Sequence, residues 1–299
     1  RRQQAVDELR PSLDLRERLA LLDAEVHDNL DQKRLRDWAR ETPQPVAAAK
    51  RIAAVVIAAA ALFTAAFWLL GYGRPTWLMA VLVVHVLFTF GFRRQIRHLA
   101  RTAAEADFGL AILVQVLQQL ERESFATPLL QQLHMRLQTE GLPPSRRIAQ
   151  LHRLIQALNN SLQNQFYAPI AFFLCLPVHI IHGIEVWRAR VGSHIPDWLD
   201  AVGQFEALSS LAGYAYERPG DPFPELVDGG PLFEAEQVGH PLLPDEHCVR
   251  NDVALNADVR LIIISGSNMS GKSTLLRSVG NNAVLALAGG PVRAAKRRM

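Results

Sequence analysis

A short apolar run and the glycine-bounded loop after it restrict the fold of this chain more than any other stretch. Residues 261–264 read Leu-Ile-Ile-Ile, which is typical of a buried central strand in a parallel sheet. The next residues fit the pattern G-x-x-x-x-G-K-[ST], whose glycines permit backbone angles that turn consecutive N–H groups inward around a phosphate. From residue 274 to 288 the apolar side chains recur with helical spacing. The stretch therefore predicts a strand, a phosphate-binding loop and a helix whose positive dipole end faces the phosphate.

This phosphate loop, residues 266–274, supplies the candidate site residues. Lys272 is the candidate catalytic residue, because its ammonium group would reach the β- and γ-phosphates and stabilise charge on the transferred phosphoryl group. The Ser273 hydroxyl is predicted to bind Mg²⁺. The pattern thus predicts ATP and Mg²⁺ as cofactors. The full predicted phosphate-binding set is Gly266, Ser267, Asn268, Met269, Ser270, Gly271, Lys272, Ser273 and Thr274.

Two apolar runs near residue 70 predict a transmembrane helical hairpin. Residues 52–72 carry no charge, and about twenty helical residues span a bilayer core of about 30 Å. Residues 76–92 form the second run, and Trp68, Tyr72 and Trp77 lie at the turn, where interfacial aromatic residues belong. Basic residues flank both outer ends, which places them in the cytoplasm. We expect a multi-pass protein in the inner or plasma membrane of a prokaryote-like cell, with the lipid bilayer as a partner; a buried hairpin of a soluble protein is the alternative.

A third apolar stretch, residues 166–187, is interrupted by Pro169 and Pro177. One more crossing here would put the phosphate loop outside the cell, away from ATP. We therefore interpret this stretch as a buried or membrane-skimming helix, with a third span as the alternative.

Several histidines lie in apolar surroundings. His85, in the middle of the second apolar run, is expected to be neutral and bonded to a neighbouring helix rather than to relay protons. His179, His182 and Glu185 recur near helical spacing, but no further clustered ligands follow them. They predict a polar helix face rather than a metal site.

Composition excludes some classes of protein. The chain has 32 Lys and Arg residues against 29 Asp and Glu residues, so no overall basic charge indicates a nucleic-acid binder. Its two cysteines, Cys175 and Cys248, are far apart and provide no disulfide framework, which suits a reducing compartment.

The predicted fold class is an α-helical N-terminal part with a transmembrane hairpin, followed by the start of an α/β P-loop domain of the ABC class. The boundaries follow proline- and glycine-containing breaks. We predict an amphipathic helical segment (1–45), the hairpin (46–95), a helical core or lever domain (96–218) and the N-terminal part of the ATPase domain (219–299).

Two local patterns predict where elements begin within these domains. Ser145 is placed to cap a helix that runs to about residue 164. Residues 233–238 alternate like a strand, and we expect this strand to open the ATPase domain.

The interior of the phosphate loop resembles that of the MutS family, which usually reads G-P-N-M-G-G-K-S-T. Gly239-His240-Pro241 and residues 249–253 are similar to the segment that leads into this family's first ATPase strands. Residues 205–212 resemble the end of its lever helix, and residues 289–294 also fit.

This sequence departs from the family pattern at three positions. Ser267 and Ser270 replace the usual Pro and Gly, which leaves phosphate binding intact. Cys248 stands where many relatives place an aromatic residue against the adenine, so the stacking contact is in question.

The resemblance implies an ATPase that forms a homodimer through its ATPase domain, binds two ATP–Mg²⁺ at the interface and moves its lever helices. It also implies DNA as a partner and mismatch repair as a process, although residues 185–260 are acidic and disfavour DNA binding there. The alternatives are a membrane scaffold or a transporter-type ATPase in which ATP gates partner assembly without DNA.

No strand ending in an acidic residue follows the phosphate loop, and the printed sequence begins with Arg1. Such a residue would be needed to hold Mg²⁺ and polarise water. We interpret the sequence as an internal fragment that does not turn over ATP alone.

Overall fold

Helices account for most of the computed structural model, which describes residues 1–29, 31–138, 141–228, 232–267 and 270–298. The helices in this part of the chain are α1 (Arg2–Leu9), α2 (Leu13–Asn29), α3 (Gln32–Arg40), α4 (Ala48–Leu69), α5 (Pro75–Arg122), α6 (Pro128–Leu137), α7 (Pro144–Gln163), α8 (Tyr167–Phe173), α9 (Leu176–Val191), α10 (Ile195–Glu217) and α11 (Lys272–Ala288). The strands are β1 (Phe233–Val238), β2 (Asn251–Leu255) and β3 (Lys296–Arg298).

The chain forms two compact units, each assembled from separate segments. Unit 1 comprises residues 1–21, 123–135 and 203–299, and unit 2 comprises residues 22–122 and 136–202.

Unit 2 contains the predicted apolar hairpin. Helix α4 packs against α5, and the turn between them is tight, with Gly71 at a φ of +82°. In the described residues, α4 and α5 are long and apolar enough to cross a membrane. A third crossing would result if α8 and the stretch Leu176–Glu217, which meet at a bend of 84°, formed one span. The side chains of Trp68, Tyr72 and Trp77 are exposed around the turn. The helices of the hairpin are confirmed, whereas their insertion into a bilayer remains a prediction.

Beyond the hairpin, α5 continues without a break and packs along α7, which in turn packs along α9. The prediction that Ser145 caps α7 is wrong. Pro143 occupies the cap position, and the carboxylate of Glu121 in α5 accepts hydrogen bonds from the Ser145 N–H at 2.9 Å and the Ser145 hydroxyl at 2.6 Å. A carboxylate from a neighbouring helix thus satisfies a donor at the start of α7, where an N-cap side chain usually does so.

His85, Glu185 and Arg188, which are buried in unit 2, each have a polar partner. His85 Nε2 lies 2.7 Å from the Phe172 carbonyl oxygen, which confirms the predicted bond to a neighbouring helix. Because a carbonyl only accepts, Nε2 carries the proton. Arg188 donates to Glu185 at 2.8 Å and to Glu41 at 2.9 Å, so Glu185 belongs to a buried ion pair. No group of three or more metal-ligating side chains occurs in the described residues.

Unit 1 contains a small antiparallel sheet in the order β2-β1-β3. The predicted strand at residues 233–238 is confirmed as β1. A bulge lies between Ala235 and Val238, where Gln237 has a φ of +55° and donates its N–H to Asp252 Oδ1 at 2.7 Å. The core of this part joins β1, α11 and the segment after α11; its buried residues are Phe233, Ala235, Val238, Ala286, Val292 and Ala294.

The predicted buried strand at residues 261–264 is wrong. These residues form no strand, and the side chains of Leu261 and Ile263 are 75% and 83% exposed. The sheet of the described residues is antiparallel and lies elsewhere, at residues 233–238, 251–255 and 296–298. An apolar β-branched run needs strands on both sides before it forms a central strand, and within the described residues no strand pairs with this run. The predicted helix after the loop is confirmed as α11, beginning at Lys272 rather than Thr274.

Candidate nucleotide-binding site

The phosphate loop ends directly at the N-terminus of α11. Gly271 occupies the N-cap position with φ of +85° and ψ of +5°, a left-handed conformation that strains any residue with a side chain. Glycine also has no side chain that could cap the helix, so the residue at the N-cap position provides no acceptor for the N–H groups of the first turn. Donors left free in this way, together with the helix dipole, favour an anion.

The Lys272 side chain folds back over the loop. Its Nζ donates to the Gly266 carbonyl oxygen at 2.7 Å, to the Ser267 carbonyl oxygen and, at 3.4 Å, to Ser270 Oγ. An ammonium group has three donors, and all three are directed at the loop that a phosphate would enter. The positive charge predicted from the sequence therefore lies at the mouth of the loop.

Gly266 lies close to the Ser270 side chain. A Cβ atom at this position would lie 2.9 Å from Ser270 Oγ, so the exposed serine side chain would have to rotate away. Of the two glycines of the motif, Gly271 is the one whose backbone conformation disfavours a side chain.

The remaining predicted residues lie around this centre. Ser273 and Thr274 are exposed in the first turn of α11, and Ser267 and Ser270 are exposed in the loop. Asn268 and Met269 lie outside the described residues.

The loop opens into a cavity of about 600 Å³, which is large enough for a nucleotide. One wall is the loop with the start of α11, and the other comes from the segment between β1 and β2: His240, Leu243, His247, Val249 and Asn251. The sequence comparison with the MutS family placed parts of this segment near the ATPase strands, but the role of the two histidines was missed.

Cys248 does not line this cavity. Its Sγ lies 3.9 Å from the His240 carbonyl oxygen and packs against Gly239, where a Cβ atom would come within 2.5 Å of the sulfur. The neighbouring His247 and Val249 face the cavity instead, and Val249 is 79% exposed. The missing aromatic residue at position 248 therefore leaves these two side chains as the surface available to a base.

A fully buried asparagine, also missed from the sequence, holds the two walls together. Asn282 of α11 donates through Nδ2 to the carbonyl oxygens of Gly239 and Ser278, both at 2.8 Å, and accepts the N–H of Arg293 at 2.7 Å. Gly239 in turn donates its N–H to the Arg293 carbonyl at 2.9 Å. An asparagine within the apolar run of α11 was a signal for such a role, because a buried polar side chain requires partners.

Three arginines fix the turn that carries His247. The Asp245 carboxylate accepts from Arg250 at 3.1 Å, from Arg218 at 3.3 Å and from the buried Arg293. The hydrogen bond from Arg250, followed by the charges of Arg293 and Arg218, lowers the pKa of Asp245 below its ordinary value. The carboxylate is exposed, so this network orients the turn more than it stabilises the fold.

About a third of the chain is similar in sequence to known proteins of one family. No family model matches the chain. It is 32% identical over 114 residues to the DNA mismatch repair protein MutS of Desulfatibacillum aliphaticivorans, which is 36% of this chain and 12% of that protein. It is 35% identical over 95 residues to endonuclease MutS2 of Thermus thermophilus, 32% of this chain and 12% of that protein. It is 40% identical over 104 residues to the DNA mismatch repair protein MutS 2 of Halobacterium salinarum, 34% of this chain and 12% of that protein.

The chain thus spans only about an eighth of the length of each of these relatives. The resemblance to the MutS family that the phosphate loop indicates is confirmed for the part of the chain that aligns.

Proposed function

We propose that the chain binds ATP at the phosphate loop and forms part of a membrane-anchored MutS-like ATPase. The observation that carries this proposal is the arrangement around Lys272: an ammonium group at the loop mouth, a left-handed glycine next to it and an uncapped helix start, all facing one cavity. The similarity of about a third of the chain to MutS proteins supports the same activity.

The chemistry of these groups fits a nucleoside triphosphate with Mg²⁺. The loop contributes donors and a positive charge, which a phosphate chain requires, and the exposed Ser273 hydroxyl would bind the metal. Lys272 would exchange the Gly266 and Ser267 carbonyl oxygens for phosphate oxygens. His247 and Val249 would contact the base. None of the described residues that line the cavity is a carboxylate, so hydrolysis would draw its water-polarising acid from elsewhere in the protein.

We also propose an α/β P-loop domain of the ABC class for this region, in which another element covers the exposed run at residues 261–264. Consecutive exposed apolar side chains mark a surface that another element covers. The domain would form a homodimer that contains two ATP–Mg²⁺, and nucleotide binding would move the helices that precede it, which form the lever in the 96–218 part.

The exposed apolar surface of the hairpin supports the membrane anchor. In the most apolar stretches of α4 and α5, only 17% and 11% is buried. In a soluble protein the remaining apolar surface would be exposed to water, which costs about 25 cal/mol of free energy per Å². The anchor proposed here is the 46–95 part, with both ends in the cytoplasm.

Two of the three relatives are named as DNA mismatch repair proteins and the third as an endonuclease, so we propose DNA as the effector of the ATPase. This part of the proposal rests on the relatives alone, and the experiment below separates it from nucleotide binding.

The test uses the full-length protein in nanodiscs and measures binding of a fluorescent ATP analogue with Mg²⁺. Lys272→Ala is expected to lower affinity at least tenfold, since a charge-assisted phosphate contact contributes about 1.5–3 kcal/mol. Arg277→Ala, which removes an exposed positive charge from the same helix outside the cavity, is the matched control and is expected to bind as wild type. Equal affinity of wild type and Lys272→Ala would refute the proposed site.

ATP hydrolysis is then measured with and without duplex and mismatched DNA. Turnover that DNA stimulates and that Lys272→Ala abolishes is the expected result. Turnover that ignores DNA would refute DNA as the effector and leave the nucleotide site intact.

A further inference from the structure

Unit 2 contains a second cavity, a groove of about 360 Å³ along the apolar half of α5. Its walls come from α5, α7, α8 and α9, and nearly all of the surface inside it is apolar. The residues that matter here are Val86, Phe90 and Leu162 on the walls, Cys175 at the inner end and Arg93 and Arg97 at the outer end.

The break between α8 and α9 forms the inner end of this groove. The chain bends there by 84°, with Cys175 in a left-handed conformation at a φ of +49°. The hydrogen bond of 2.7 Å from His85 to the Phe172 carbonyl ties this break to the middle of the hairpin helix. The groove thus extends from the level of His85 toward the basic end of α5.

The length of the groove matches one leaflet of a bilayer. From Val86 to Arg97 the helix advances eleven residues, which is about 16 Å at 1.5 Å per residue. Half of a hydrocarbon core of about 30 Å is about 15 Å. An acyl chain that lies in the groove from the level of His85 would therefore bring its headgroup to the two arginines.

The polar groups of the groove indicate the charge of the occupant. The Thr89 hydroxyl donates to the His85 carbonyl at 2.9 Å, and the Ser161 hydroxyl donates to the Leu158 carbonyl at 2.6 Å. Both neutral groups are therefore satisfied within their own helices.

The two arginines differ from these neutral groups because they carry a charge. Arg97 Nε donates to the Arg93 carbonyl oxygen at 3.4 Å, a bond that neutralises neither charge. Both side chains are exposed, and neither forms an ion pair with a carboxylate in the described residues. The Arg93 guanidinium lies 5.5 Å from the Phe90 ring. The groove therefore has apolar walls and, at the basic end of α5, two cations without a carboxylate partner in the described residues.

We propose that this groove binds one anionic phospholipid of the cytoplasmic leaflet, with an acyl chain against Val86, Phe90 and Leu162 and the phosphate between Arg93 and Arg97. The inference rests on the proposed membrane anchor. It assigns unit 2 a specific lipid site in addition to a general apolar surface, because a diffuse basic belt would not require a groove of one leaflet's length.

The test is native mass spectrometry of the full-length protein released from nanodiscs that contain equal amounts of phosphatidylglycerol and phosphatidylcholine. Wild type is expected to retain one phosphatidylglycerol in preference to phosphatidylcholine by roughly tenfold or more, since each basic side chain near the surface adds to anionic lipid binding. The double variant Arg93→Gln/Arg97→Gln is expected to lose the preference. The matched control, Arg94→Gln/Arg101→Gln, removes two exposed charges of the same helix that do not line the groove and is expected to keep it.

A groove-filling variant tests the apolar half of the site. Leu162→Trp is expected to reduce retention of both lipids, because Leu162 is a partly exposed wall residue that tolerates a larger side chain. Equal retention of both lipids by wild type, or an equal loss of preference in the two double variants, would overturn the proposed site. Flotation of the protein with liposomes is measured in parallel: protein that does not insert refutes the anchor, whereas protein that inserts without selective lipid retention refutes only the groove.

Discussion

Replacement of the buried asparagine in α11 should separate the two walls of the nucleotide cavity. In Asn282→Ala, the Gly239 carbonyl and the Arg293 N–H each lose the hydrogen bond that Asn282 provides, at 2.8 and 2.7 Å. The Ser278 carbonyl, in contrast, keeps its position in the helical ladder of α11. Two buried groups are thus left unsatisfied, at about 1–3 kcal/mol each, which gives about 2–6 kcal/mol.

We expect a value near the lower half of this range, about 3 kcal/mol, because a water molecule can enter the space that the side chain leaves. Hydrogen exchange followed by mass spectrometry measures this effect in peptides of β1 and α11. A loss of about 3 kcal/mol corresponds to exchange that is roughly a hundredfold faster, at 1.4 kcal/mol per factor of ten. The affinity for ATP should fall as well, since the His240–Val249 wall is no longer held against the phosphate loop.

The neighbouring residue provides the control. Asn281 is exposed, and its one hydrogen bond within the described residues is to His240 Nε2 at 3.3 Å, so Asn281→Ala should change exchange by less than about threefold. Exchange in Asn282→Ala that equals that of Asn281→Ala would refute the conclusion that this asparagine connects the two walls.

Three further predictions follow from the geometry. Gly271→Ala should weaken ATP binding and lower the free energy of unfolding by about 1–2 kcal/mol, because a Cβ atom strains the left-handed conformation. Gly280→Ala, in the exposed interior of the same helix with open space at its Cβ position, should be neutral or stabilising. Thermal shifts and ATP titration of both variants measure the two effects. The pKa of Asp245 is lowered mainly by the hydrogen bond from Arg250, so the carboxylate stabilises the 245–247 turn fully above the unfolded pKa of 3.8 and loses this effect as the pH falls through the lower, folded pKa. Hydrogen exchange in this turn should therefore rise only at such acidic pH. In Arg250→Ala it should rise at a less acidic pH. Glu121→Ala removes both acceptors at the start of α7 and should destabilise that end by about 1–2 kcal/mol, measured by local exchange.

Features of the structure that depend on neighbouring residues could be predicted from the sequence. The helix after the phosphate loop, strand β1 and the two helices of the hairpin occur where apolar spacing indicated them. The left-handed glycine at position 271 also follows from the motif, because the loop can turn into a helix there only with such a backbone. Each of these depends on fewer than about 25 consecutive residues, within which periodicity and backbone preference are informative.

Features that depend on distant partners could not be predicted in this way. The cap of α7 comes from Glu121, which lies 24 residues before Ser145, and a propensity rule that considers only the adjacent serine selects the wrong group. The run at residues 261–264 has the composition of a central strand, but a strand also requires neighbours that composition does not specify.

Residues 240–251 show why the candidate site was only half predicted. The phosphate half of a nucleotide site needs fixed donors and charge, which a short motif can encode, and Lys272 lies where the motif requires it. The base half needs only a surface of suitable shape, which any side chain with a flat or apolar face can provide. The departure at Cys248 therefore does not remove that half of the site: the sulfur packs against Gly239, and His247 and Val249 on either side of it face the cavity. If these two side chains do bind the base, His247→Ala should reduce affinity for ATP and leave affinity for inorganic triphosphate unchanged, whereas Lys272→Ala should reduce both; a His247→Ala variant that binds ATP as wild type would show that the base lies elsewhere.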